Sequence, residues 1–141
     1  MHLRQAVIES VPITKGIIMY DIKTDTEKNR ITITIGKVES ESEIQEIARS
    51  VQSACRRLKK GFTCITDLRR YELQDDQFEI YVKETQAVMV QAGLSRVVRV
   101  RRETGLLGHF QFDNASSEVG YHAQNVTTLE EAERILDAET P

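Results

Sequence analysis

Hydrophobic and polar positions recur with two different periods along this chain, and the changes of period mark out its elements. From Arg30 to Ile35, Ile31, Ile33 and Ile35 fall on one side and Thr32 and Thr34 on the other. That period of two belongs to a strand with one buried face. Residues 17–22 are rich in β-formers and read as its partner, and the Asp and Asn of residues 24–29 supply turn chemistry between them. An antiparallel hairpin is predicted. The spacing then becomes helical, through Ile44, Ile47, Ala48, Val51, Cys55 and Leu58. Ser40 and Glu43 stand at capping-box spacing at its start, and Gly61 is expected to close it in a left-handed conformation.

Residues 62–68 form a short, partly β-branched apolar run, suited to a central strand covered on both sides. A helix beginning near Asp75 follows, with Phe78, Val82, Thr85, Met89 and Ala92 on one stripe, widened by Tyr81 and Val88. Asp75, Asp76 and Glu79 load its first turn, where carboxylates suit the helix dipole, and Gly93 ends it. Residues 96–102 read as the next strand, and a short irregular helix is expected around Leu106, Leu107 and Phe110. Residues 121–126 give a last strand. Thr127 or Thr128, with Glu130 or Glu131 three residues on, opens a last helix through Ala132, Ile135 and Leu136. The prediction is an α/β domain spanning 1–141: a mixed β-sheet with an N-terminal hairpin, a parallel core and helices packed on it. Its core runs over 17–137, after a poorly defined extension of residues 1–16.

Composition narrows the role more than it defines it. A net charge of −3 gives no dominant basic surface, so nucleic acid is not an expected partner. No apolar run approaches the roughly 20 residues of a membrane span, and the N-terminus lacks the apolar segment of a signal peptide. A cytoplasmic protein is the expectation. Cys55 and Cys64 are too few for a disulfide framework and read as small core residues. His2, His109 and His122 lack metal-ligand spacing, and Gly105 and Gly108 precede no lysine that would make a phosphate loop. No catalytic constellation, metal site or cofactor motif emerges, so a non-enzymatic role is expected.

Two basic stretches compete as anion sites. Arg56, Arg57, Lys59 and Lys60 read better as cations matched to a helix C-terminus. Arg99 and Arg101 alternate with Val100, as on a strand with one wetter face. The loop after the central strand holds Arg69, Arg70 and Tyr71, types enriched at interfaces, then Asp75 and Asp76. In an open α/β fold, that loop is the usual place for function.

The hairpin running into ITIGKVESESEIQEIARSV, the stretch CITDLRRYELQDDQFEIYVKE and the closing VTTLEEAERIL together resemble the STAS domain. This family is named for sulphate transporters and anti-sigma-factor antagonists. The resemblance covers most of the chain and implies a small stand-alone bacterial protein acting through a protein partner. In the antagonists a kinase partner phosphorylates a serine at the helix start after the third strand, and the phosphate breaks the complex. Here that place holds Gln74, Asp75, Asp76 and Gln77, with no Ser or Thr between Asp67 and Glu84. The resemblance therefore implies an interaction or regulatory module without the serine switch, and Asp75 or Asp76 would make the site permanently acidic. The alternative is a carrier of a small apolar or anionic ligand, held between sheet and helices with Arg99 or Arg101 at its head group. A homodimer through an uncovered sheet edge or residues 106–112 is a further expectation.

Overall fold

A computed structural model describes residues 20–38, 40–73, 79–102 and 123–139. The predicted hairpin is β1 (Tyr20–Asp25) antiparallel to β2 (Arg30–Ile35), in register from Tyr20 opposite Ile35 to Asp25 opposite Arg30. The strand β1 runs to Asp25, so the turn is shorter than the polar stretch suggests. Asp25 Oδ1 accepts from the backbone N–H groups of Glu27 and Lys28, and Asn29 takes a left-handed φ of 54°. These are the turn roles open to Asp and Asn side chains.

After the two-residue β3 (Lys37–Val38) comes α1 (Glu41–Cys55). Its capping box is complete: Ser40 Oγ accepts from Glu43 N–H and the Glu43 carboxylate accepts from Ser40 N–H, each at 3.2 Å. The helix ends at Cys55, short of Gly61, and tight turns carry the chain through Arg57 and Leu58. Arg56, Arg57, Lys59 and Lys60 thus follow the helix instead of filling its last turn. Gly61 has a φ of +95°, but its N–H donates to Gly93 O at 2.7 Å, so it positions the entry to the next strand.

The remaining elements are β4 (Thr63–Asp67), β5 (Glu72–Leu73), α2 (Glu79–Ala92), β6 (Arg96–Val100), β7 (Gln124–Val126) and α3 (Leu129–Glu139). The main sheet has the order β1-β2-β4-β6-β7, with β2, β4, β6 and β7 mutually parallel; β3 and β5 pair as a separate parallel ribbon. Parallel neighbours need crossovers, and α1 and α2 lie within those from β2 to β4 and from β4 to β6. At the end of α2, Gly93 (φ +108°) donates to Val90 O and Leu94 to Met89 O, the paired bonds of a Schellman cap. On α3, Thr128 Oγ1 accepts from Glu131 N–H at 3.1 Å.

Alternation along the strands makes two apolar layers. Ile31, Ile33, Ile35, Cys64 and Val97 pack with Ile44, Ile47 and Val51 of α1 and Val82 and Met89 of α2. Ile65, Val98, Val100 and Val126 pack on the other face with Ala132 and Leu136 of α3. The central strand is therefore covered on both sides, as its apolar run predicts. The stripe predicted on α2 is shifted: Val82, Gln86 and Met89 are buried, whereas Ala92 is exposed. The expected helix within 103–116, residues 121 and 122, and the extension 1–16 lie outside the described residues.

Candidate functional site

The carboxyl ends of β4 and β6 lie side by side. Asp67 pairs with Val100, and Leu68 N–H donates to Val100 O at 2.8 Å, which extends the pairing past the strand. Two arginine-bearing segments, 69–70 and 101–102, therefore meet at one rim of the sheet.

Arg69 folds back onto Asp67. Its Nε and Nη2 donate to the two carboxylate oxygens at 2.9 and 2.8 Å, and its backbone N–H donates to Oδ1 at 3.1 Å. Asp67 is only 6% exposed, so this fork-to-fork pair keeps a largely buried charge satisfied, and its hydrogen bond pushes the Arg69 guanidinium pKa further up. Arg102 Nε donates to Arg69 O at 2.7 Å, tying the end of β6 to the same turn. Arg101 donates from its backbone to Val126 O and from Nη1 to Asn125 Oδ1 at 3.2 Å, on the β7 side. The side chains of Arg70 and Arg102 are exposed, and neither is ion-paired among the described residues.

Two of the residues singled out from sequence are placed differently from expectation. Tyr71 is 1% exposed and belongs to the core, so its ring is not presented to a partner; burial pushes its hydroxyl well above the usual tyrosine range. Arg99 is 2% exposed, so β6 has no wetter face at that position: Val97, Val98, Arg99 and Val100 are all buried. It shares a pairing row with Thr66 on the face under α1 and α2. Asp75 and Asp76 lie outside the described residues. Arg102, expected at the end of a strand over 96–102, joins the rim because β6 ends at Val100 and leaves Arg102 beyond the sheet. The signal was its position two residues past the last apolar valine.

The core beside this rim contains a cavity of about 30 Å³ between the sheet and helices α1 and α2. A cavity lined by Phe78, Val82 and Phe110 would favour a ligand carrier; Val82 borders this one, and Phe78 and Phe110 lie outside the described residues. Cys64 and Cys55 are buried and free, and burial raises their thiols to about 12 and about 11, far from nucleophilic character at neutral pH. Among the described residues, no cluster of His, Cys, Asp and Glu could hold a metal ion, and no helix is long and apolar enough to cross a membrane. The sequence matches no protein-family model and no curated protein.

Proposed function

We propose that this chain is a non-enzymatic interaction module, STAS-like in fold and lacking the serine switch, that docks a protein partner on the carboxyl-end rim of β4 and β6. The observation that carries this reading is the placement of Arg70 and Arg102. They are exposed at the ends of adjacent central strands, and neither is ion-paired among the described residues. Arg69 is already held by Asp67 and braces the turn between them. A guanidinium presents a planar fork suited to carboxylates, so the partner surface is acidic. The hairpin-led mixed sheet with a parallel core is the architecture the STAS resemblance implies, and it supports the same reading.

The alternative, a small-ligand carrier using Arg99 or Arg101, has less to rest on. Its cavity of about 30 Å³ is well below the roughly 150 Å³ that accommodates benzene.

Affinity purification with mass spectrometry, using wild-type and Arg70→Glu/Arg102→Glu baits of equal helicity, tests the proposal. A partner enriched by the wild type and lost by the variant supports it. Equal recovery by both baits refutes it.

A further inference from the structure

Gln86 is the one polar residue of α2 that is fully buried among those described. It is 3% exposed, and among the described residues its Oε1 meets no hydrogen-bond donor. A buried acceptor left in this state is rare in native proteins and calls for a partner. The same side chain borders the cavity between the sheet and helices α1 and α2. Ile33, Ile47, Val82 and Met89 supply apolar wall, and Thr66 and Thr85 add hydroxyls, that of Thr85 already donating to Tyr81 O at 2.8 Å. Among the described residues the Thr66 hydroxyl meets Cys64 Sγ alone, at 3.5 Å, and a thiol is a weak partner. A hydroxyl has one donor and two acceptor positions, so Thr66 retains capacity for another bond.

Size selects the occupant. The cavity measures about 30 Å³, whereas roughly 10–15 Å³ on the same measure suffices for one water and benzene needs about 150 Å³. Polarity points the same way, because purely apolar cavities stay dry and a buried water needs two or more polar partners.

We propose that this cavity is an internal hydration site holding one or two water molecules, which donate to Gln86 Oε1 and bond the Thr66 hydroxyl. At this point α2 is joined to β4 through water. The inference is independent of the partner-docking proposal, because none of its residues lies on the rim.

The test uses the whole chain in solution. Water-selective ROESY on the wild type is expected to give cross-peaks from long-lived water to Gln86 and Thr66 side-chain protons. In Gln86→Met, which keeps the length and removes the acceptor, the Thr66 cross-peak should disappear without a rise in Tm. Absence of the wild-type cross-peaks, xenon-induced shifts of the Ile33 and Val82 methyls, or a higher Tm for Gln86→Met would each mean a dry cavity and overturn the proposal. If the variant does not fold, the wild-type cross-peaks and the xenon titration decide.

Discussion

Replacing Glu133 with Gln and Asp137 with Asn should destabilise this protein more than replacing Arg30 with Met, although Arg30 stands at the centre of the network. The Arg30 side chain is 2% exposed; its Nε donates to Thr63 Oγ1 at 3.0 Å, and its guanidinium pairs with Glu133 and, at 3.0 Å, with Asp137. Both carboxylates are close to half exposed, and Lys28 approaches them at 3.6 and 3.4 Å. Removing the acids leaves a charge in the interior that water reaches only partly. Breaking a buried pair this way costs about 3–5 kcal/mol. Solvent at the acid side screens the pair, so we take about 2–3 kcal/mol here. For a chain of this size that is roughly 6–12 °C in Tm. Arg30→Met instead frees two carboxylates that can rehydrate, and an apolar side chain of similar length takes the buried site, at a cost of about 1 kcal/mol or less. Urea denaturation at pH 7 measures both, with unchanged m-values as the check that the same unfolding is compared. A larger loss for Arg30→Met would refute the reasoning. The pH dependence has a defined sign. Burial tends to raise the Asp137 carboxyl, but the Arg30 hydrogen bond and charge, with Lys28, hold it below its ordinary value of 3.8. Its stabilisation is therefore complete above pH 3.8 and is lost as pH falls from there through the lower folded value.

Three further outcomes follow from local geometry. A Cβ on Gly93 would lie 2.7 Å from Lys60 Cγ and 2.8 Å from Lys60 Cα at a φ of +108°, whereas Gly61 at +95° has open space around it. Gly93→Ala should therefore cost about 2–4 kcal/mol and Gly61→Ala about 1–2 kcal/mol by thermal or urea unfolding. Ser40→Ala removes half of the capping box and should cost about 1 kcal/mol, with faster amide exchange at Glu43. Cys55 and Cys64 should resist N-ethylmaleimide at pH 8 and react fully in denaturant, since burial holds both thiols near or above 11.

The sequence makes an element plain where one physical constraint acts alone. The bounds of β2 follow from strict Ile–Thr alternation, and the start of α1 from a side chain and a backbone group three residues apart. Gly93 ends α2 because the chain needs a positive φ there, a need visible in the residue itself. Legibility fails where a residue's environment comes from distant segments. Arg99 looks like a surface cation because its neighbours alternate, yet its burial depends on what packs over the sheet. Tyr71 sits in a charged run but turns inward after β4. Arg30 reads as the polar start of a strand, and only α3 makes it a buried anchor. The i, i+4 spacing of Glu133 and Asp137 was the one available hint, since it sets two carboxylates on one helical face. At the rim, Arg69 and Arg70 were visible as a loop, but their meeting with Arg102 required the parallel pairing of β4 with β6.

The central claim concerns where a partner touches the protein, and site-specific photo-crosslinking tests it most directly. A benzophenone side chain would replace Arg70 in one bait and Lys23, exposed on β1, the outermost strand among the described residues, in another. Irradiation in source lysate should give a discrete partner adduct from position 70 and none from position 23. Adducts from position 23 alone, or none from position 70, would contradict docking at the rim.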